Sequence, residues 1–314
     1  MIVTLTANPS LDRTIVLEAP LEPGAVQTAV SQREDAGGKG INVARVVAAA
    51  GIDAVAVLPL AAGDPFDAAL RGAGVPARRV PVTGHARANV TITDAAGTTT
   101  KLNLPGATLG AAEAAAVVEA VVAATAGARW LVLAGSLPPG VGDDFYVDVV
   151  RAVRAAHGAQ APLIAVDTSG PALRAVVEHA LPDLIKPNDE ELAELAGVDL
   201  PAGDLAAAVI AVAHSIVPDK SRAALITLGA DGAVLVDAQG AWVGMPPRIR
   251  VVSTVGAGDS SLAGYLIAET EGAGPDARLE RAIRYGAAAA SLPGTQAPAP
   301  DDLPHGDVRV STFA

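Results

Sequence analysis

The chain has 314 residues, 51% of them hydrophobic, with no cysteine and a formal net charge of −12. That length can bury a large core; the missing thiols exclude disulfides and thiolate chemistry, and the acidity argues against general nucleic-acid binding. No basic segment followed by an apolar run opens the sequence, and Gly, Pro or charge interrupts every apolar stretch before it reaches membrane-span length, so a cytoplasmic protein with no membrane partner is expected.

The first element predicted is a short strand over Ile2-Val3-Thr4-Leu5-Thr6, running into a polar turn from Ala7 to Arg13. Ligand groups of a parallel α/β sheet collect at such strand ends, which makes Asn8 and Asp12 candidates; an ordinary turn fits the spacing equally well. Thr14–Glu18 reads as an extra strand, followed by an extended segment to about Gln32. A second extended pair, Arg87–Thr93 and Thr99–Leu104, is joined by the turn Asp94-Ala95-Ala96-Gly97 into a hairpin. These segments break the βαβ rhythm, so residues 13–35 and 86–105 are expected to form a small sheet standing off the main one as a lid.

Ala36-Gly37-Gly38-Lys39-Gly40 opens a helix from Ile41 to about Ala50. It is not a Walker A loop, because Arg33 and Gly40 stand where that motif needs Gly and Ser/Thr. Strands then alternate with helices. Strands are predicted at 54–58, 129–134, 162–167, 184–186 and 223–227. Helices are predicted beginning at 67, 111, 145, 171 and 205. This pattern implies a mainly parallel sheet covered on both faces within one domain spanning 1–314. Two hairpin strands, Ala233–Asp237 and Ala241–Met245, lead to a further strand at Arg250-Val251-Val252. Helices from Asp259 and from Asp276 close the fold, and the tail after Leu292 is expected to be irregular.

The stretch Val252-Ser253-Thr254-Val255-Gly256-Ala257-Gly258-Asp259 reads as strand, glycine turn and helix start. The N–H groups at such a helix terminus favour an anion. A carboxylate there is explained by a general base beside an anion hole; a simple helix cap is the plainer alternative. Asn188 and Glu191, one helical turn apart, could hold water around Mg²⁺ or simply form a capping box. Thr227, Gly229 and Gly232 suit either a nucleotide-phosphate turn or a plain β-turn. No histidine pair shows metal-ligand spacing, and no Gly-x-Ser-x-Gly elbow is present.

Five of these segments stand in the order found in one family. Gly37-Gly38-Lys39-Gly40-Ile41-Asn42-Val43-Ala44 and Ser253-Thr254-Val255-Gly256-Ala257-Gly258-Asp259-Ser260 resemble the two signatures of the PfkB (ribokinase-like) carbohydrate kinases. Between them lie Gly135-Ser136-Leu137-Pro138-Pro139-Gly140, Lys186-Pro187-Asn188-Asp189-Glu190-Glu191 and Thr227-Leu228-Gly229-Ala230-Asp231-Gly232. The opening Leu5–Asp12, Lys39 and Ser253 are similar to the phosphosugar branch, nearest to its 1-phosphofructokinase group. The resemblance implies a three-layer α/β/α fold with a β-sheet lid and a kinase that phosphorylates fructose 1-phosphate at its 6-hydroxyl, with ATP and Mg²⁺. The alternatives are the same chemistry on tagatose 6-phosphate or fructose 6-phosphate and, further off, a kinase for an unphosphorylated sugar or nucleoside or a non-catalytic sugar-phosphate sensor.

By the same resemblance, Asp259 would be the base and the N–H groups of Val255, Gly256, Ala257 and Gly258 the anion hole. Asp12, Gly38 and Asn42 would hold sugar hydroxyls, and Lys39, Arg87 and Ser136 the substrate's own phosphate. Lys186, Thr227, Gly229 and Gly232 would line ATP, with Asn188 and Glu191 reaching Mg²⁺ through water. A homodimer formed through the lid is also implied. One departure stands out: Gln27 and Thr28 are neutral where this branch is expected to carry an Asn/His-Arg pair, and Arg33 is the candidate replacement.

Overall fold

The computed structural model describes residues 1–201 and 203–313. In chain order the elements open with β1 (Ile2–Thr6), β2 (Ser10–Leu17), β3 (Ala29–Gly37), α1 (Lys39–Ala49), β4 (Ala54–Leu60) and α2 (Phe66–Gly72). Next come β5 (Ala77–Pro81), β6 (Arg87–Thr93), β7 (Thr99–Asn103), α3 (Ala111–Ala124), β8 (Trp130–Ala134) and α4 (Phe145–His157). They are followed by β9 (Leu163–Asp167), α5 (Gly170–His179), β10 (Leu184–Ile185), α6 (Asp189–Ala196), α7 (Leu205–Ala213) and β11 (Ala223–Thr227). The last are β12 (Ala233–Asp237), β13 (Gly240–Met245), α8 (Ala257–Thr270), α9 (Pro275–Ala290) and β14 (Arg309–Phe313).

The main sheet has the order β14-β13-β12-β11-β10-β9-β8-β1-β4-β5. It is parallel from β5 through β11 and antiparallel across β12, β13 and β14. Its central strands are apolar on both faces: every residue of β1 and β8 is buried. That composition requires cover on both sides. Val3, Leu5, Leu131 and Leu133 pack with residues of α3, α4, α5 and α7. Ile2, Ala56, Leu58 and Val132 pack with residues of α1, α2, α8 and α9 on the other face. The chain leaves β1 towards β4 on one side and returns through β8 on the other, so a crevice opens at the C-terminal end of β1.

The lid is a second sheet, β3-β2-β6-β7. Its strands run 10–17, 29–37, 87–93 and 99–103, wider at the first pair than the segment expected from sequence. Four crossings join it to the rest of the fold, at residues 7–9, 38, 82–86 and 104–110.

Several local expectations are corrected. Asp12 lies on β2, not in a turn, because Ser10–Leu17 pairs with β3 on one side and β6 on the other. Arg250-Val251-Val252 is not a strand: the edge beside β13 is taken by β14, and the N–H groups of Val252 and Ser253 donate instead to Ala290 O at 2.8 and 3.2 Å. The C-terminal tail is therefore not wholly irregular. Strand β5 escaped the sequence reading because Arg78, Arg79 and Pro81 hide an edge strand. Helix α8 starts at Ala257, two residues before the expected start, and every residue from Asp259 to Glu269 is buried. It is a central rod of the helical layer, not an amphipathic surface helix.

Candidate active site

Asp259 sits in the first turn of α8, buried, with its Oδ2 accepting a hydrogen bond from Asn42 Nδ2 at 2.8 Å. It makes no side-chain cap, so the plainer reading of this carboxylate does not describe the geometry. Burial first, then the nearby Asp167 charge, pushes its carboxyl up to about 6; the Asn42 amide and the Lys39 and Lys186 ammonium groups oppose this rise. In the turn before α8, Val255 N–H donates to Ser253 Oγ and Ala257 N–H to Thr254 O, both at 3.3 Å. The N–H groups of Gly256 and Gly258 have no acceptor among the described residues, so the free part of the predicted anion hole is narrower than Val255–Gly258.

Asp167, at the end of β9, organises the cations of this region. Its side chain is fully buried; Oδ1 accepts from Lys39 Nζ at 2.7 Å, and Oδ2 lies 3.2 Å from Lys186 Nζ without a well-directed hydrogen bond. Burial acts to raise its pKa, but the two ammonium groups outweigh it and hold Asp167 below the usual carboxylate range. Lys39 is held well above the ordinary lysine range: burial opposes its charge, and Asp167, Asp259 and Glu191 more than compensate. Lys39 thus pairs with Asp167 at the Asp259 end of the site. A Cβ on Gly258 would lie 3.3 Å from Lys186 Nζ, so the glycine lets this buried ammonium reach the α8 terminus.

On the neighbouring strand ends, Asn188 and Glu191 form the capping box. Asn188 Oδ1 accepts from Glu191 N–H at 2.7 Å, and Glu191 Oε2 accepts from Asn188 N–H at 3.0 Å. Thr227 bridges to Asn188 in parallel register. Gly229 is exposed with nothing in the space a Cβ would fill. Gly232 is different: it is buried at φ +101°, and a Cβ would overlap Gly244 O, so close approach to β13 explains this glycine without a nucleotide.

The lid carries the other end of the site. Alternation along β2 and β6 and the register between them put Ser10, Asp12, Arg87 and Asn89 on one face. Asp12 Oδ1 accepts from Ser10 Oγ at 2.8 Å and Asn89 Nδ2 at 2.9 Å. Burial raises its pKa; these two bonds and the charge of Arg87 counter the rise. A Cβ on Gly37 would overlap the Asp12 carboxylate, so Gly37 seats that side chain, and Gly38 leads from it directly to Lys39. Arg87 is half-buried with its Nε unpartnered, and Ser136 is exposed on the loop after β8. Arg33 forms two hydrogen bonds to Asp35, at 2.8 and 3.0 Å, and Gln27 is turned into its own loop, bonded to Pro20 O and Glu22 N–H.

The predicted residues therefore fall into two groups joined by Gly37-Gly38-Lys39. Asp259, Asn42, Lys39, Lys186 and Gly258 meet around Asp167; Asp12 and Arg87 meet on the lid. Asp167, Ser10 and Asn89 were missed. Asp167 had a legible signal: a lone carboxylate closing an apolar strand at the ligand-bearing edge of a parallel sheet.

Comparison with known proteins gives the family. The family of pfkB family carbohydrate kinases matches residues 6–302. The chain belongs to that family. The kinase is 37% identical over 272 residues to a 1-phosphofructokinase of Xanthomonas campestris pv. campestris, covering 85% of this chain and 83% of that protein. It is 34% identical to the ATP-dependent 6-phosphofructokinase isozyme 2 of Escherichia coli K12, covering 92% and 91%. The solved structure of Escherichia coli phosphofructokinase-2 in complex with potassium superposes with a TM-score of 0.86 at 30% identity, covering 96% of each chain. The kinase is thus a phosphotransferase acting on a sugar phosphate with ATP as co-substrate. No helix among its described residues is long and apolar enough to cross a membrane.

Proposed function

We propose that this kinase transfers the γ-phosphoryl group of ATP to the 6-hydroxyl of fructose 1-phosphate, giving fructose 1,6-bisphosphate and ADP. The pairing of two unlike ends carries the phosphosugar reading, and the 37% identity to a 1-phosphofructokinase favours fructose 1-phosphate. Asp259 and the α8 terminus form one end, and Arg87 and Ser136 the other, bridged by Gly37-Gly38-Lys39. A ketohexose phosphorylated at one terminal carbon and bearing a hydroxyl at the other matches that arrangement.

Asp259 takes the proton from the attacking hydroxyl, and a carboxyl titrating near 6 is a stronger base than an ordinary one while still mostly ionised at neutral pH. The Gly256 and Gly258 N–H groups and the Lys186 ammonium stabilise charge on the transferring group. Asp12, steadied by Ser10 and Asn89, receives sugar hydroxyls. Arg87 and Ser136 bind the phosphate already present, and lid closure over them excludes water.

Mg²⁺ supplies neutralisation of the phosphate oxygens when bound. Among the described residues no group of three or more His, Cys, Asp or Glu gathers to hold a bare cation. The capping box occupies Asn188 Oδ1 and Glu191 Oε2. Glu191 Oε1 remains to engage the ion through water, and the residues fit an outer role of that kind.

A second reading, phosphorylation of fructose 6-phosphate, draws on the nearly equal likeness to 6-phosphofructokinase isozyme 2. A coupled ADP-release assay over fructose 1-phosphate, fructose 6-phosphate, tagatose 6-phosphate, fructose and adenosine decides. A kcat/KM for fructose 1-phosphate at least about tenfold above the others, worth about 1.4 kcal/mol, is expected. A preference for a 6-phosphate overturns the substrate and leaves the chemistry.

The lid also supports a homodimer. Its strands β3 and β7 are open edges, and its other face carries Ile15, Val90, Ile92 and Leu102, the last 54% exposed. A single monomeric species in light scattering at micromolar concentration would contradict this.

A further inference from the structure

Four crossings tie the lid to the rest of the fold, and one side chain touches two of them and the phosphate loop together. Asn8 belongs to the first crossing and is 7% exposed. Its Nδ2 lies 3.4 Å from Pro105 O in the fourth crossing, 3.5 Å from Ser136 Oγ and 3.3 Å from Leu137 O on the loop after β8. An amide nitrogen carries two protons, so three acceptors at these distances share them and none is bonded at ordinary length.

The other side of the same amide is equally engaged. Gly106 has φ +90°, and a Cβ there would overlap Asn8 Oδ1 while lying 3.4 Å from Arg87 Cβ. Gly106 thus lies between the Asn8 amide and Arg87, and Leu104 N–H, donating to Ala88 O at 3.1 Å, ties the fourth crossing to β6. By contrast, the short bond from Leu109 N–H to Pro139 O, 2.8 Å, fixes the far end of the fourth crossing to the same loop. A small cavity of about 10 Å³ adjoins the amide, lined by Asn8, Leu60, Ala86 and Leu109. The fourth crossing is held closely at Leu109 and loosely at Asn8.

We infer that Asn8 is a positioning residue: through Pro105 and Gly106 it transmits the position of the lid, and of Arg87, to Ser136, so that both phosphate-binding groups come into register only when the lid closes. The inference rests on the reading of Arg87 and Ser136 as the phosphate end. Closure that shortens the bonds to Pro105 O and Ser136 Oγ converts three weak contacts into two good ones, the tightening that unliganded sites commonly await.

A double-mutant cycle tests it, with Asn8→Ala, Ser136→Ala and the pair, assayed on the phosphosugar the wild type prefers. Asn8→Ala is expected to raise KM for that sugar at least about tenfold with KM for ATP within about twofold, and the double variant to be no worse than the worse single. Effects that multiply in the double variant, or KM values for ATP and sugar that rise together, overturn the inference. Should Asn8→Ala melt early, Asn8→Asp keeps the shape and removes both donors; a wild-type KM for the sugar in that variant also overturns it.

Hydrogen exchange separates this inference from the reading beneath it. Phosphosugar is expected to slow exchange in both β6 and the 135–140 loop of the wild type, and in only one of them in Asn8→Asp. If Ser136→Ala leaves KM unchanged while Asn8→Asp still uncouples the two segments, the phosphate reading fails and the coupling stands. If both segments respond in Asn8→Asp as in the wild type, the coupling fails.

Discussion

Asn42 and Asp259 are 217 residues apart in sequence and 2.8 Å apart at the site. The amide donates to the charged carboxylate, which opposes the effect of burial and fixes which oxygen stays free for a hydroxyl. Removing that donor as Asn42→Leu is expected to move the acidic limb of the kcat/KM profile to higher pH. A limb that stays in place would mean that Asn42 does not set the ionisation of the base.

For the wild type, activity should fall about tenfold per pH unit below about 6, following protonation of Asp259. Asp259→Asn is expected to lose activity by about 10²–10⁴-fold, the usual worth of a general base, with ATP binding retained by calorimetry. Turnover equal to wild type would remove Asp259 from its role. Stability should move the opposite way. The folded-state carboxyl is raised above its unfolded value, so its contribution is intact below about 4 and lost as pH rises through about 6. The Asn variant should therefore melt higher than wild type at pH 8, with the gain vanishing near pH 4.

Asp167→Asn leaves Lys39 and the buried Lys186 without their carboxylate. Breaking one side of a buried ion group costs about 3–5 kcal/mol, readable in urea unfolding. It also withdraws a negative charge that raises the Asp259 pKa, so any residual activity should have its acidic limb at lower pH. A limb shifted upward would contradict the assigned coupling.

Two glycine substitutions should differ in kind. Gly258→Ala puts a methyl 3.3 Å from Lys186 Nζ and is expected to lower kcat by about tenfold or more with little change in melting. Gly232→Ala forces a side chain onto φ +101° and into Gly244 O, and is expected to destabilise by about 2 kcal/mol or more while the folded fraction keeps its KM for ATP. An unaltered fold with a raised KM for ATP would restore Gly232 to the nucleotide site.

Arg87→Ala should raise KM for a phosphorylated sugar and leave that for free fructose unchanged, because Arg87 belongs to the lid end. Lys39→Ala should instead lower kcat on both, since its ammonium lies on Asp167 near Asp259. Steady-state kinetics on the two sugars separate these outcomes.

The layered fold was legible because its central strands are uninterrupted apolar runs and its helices are long and periodic. The failures have physical causes. β5 and β14 are edge strands, half-polar and exposed, so nothing in their pattern demands a sheet. The β-branched run Arg250-Val251-Val252 had the right residues but no free edge to join. At the site, Asp259 and Asn42 were readable as motif members; Asp167 was legible only as a lone carboxylate closing a strand, because its two lysines, at positions 39 and 186, are brought to it by the fold. The partner of Lys39 was illegible for the same reason, because a long side chain leaving a glycine turn has no direction in a sequence.

Asp167, Asp259 and Glu191 set three negative charges around the two positive ones of Lys39 and Lys186. At neutral pH this cluster offers little net attraction to stray phosphate or sulfate, so an acidic protein keeps its cations out of circulation until a substrate with the right shape arrives. Protonating Asp259 tips that balance by one unit. Acidification should then strengthen inhibition by simple inorganic anions at the same pH where turnover fails, so competition and proton uptake become two views of a single event.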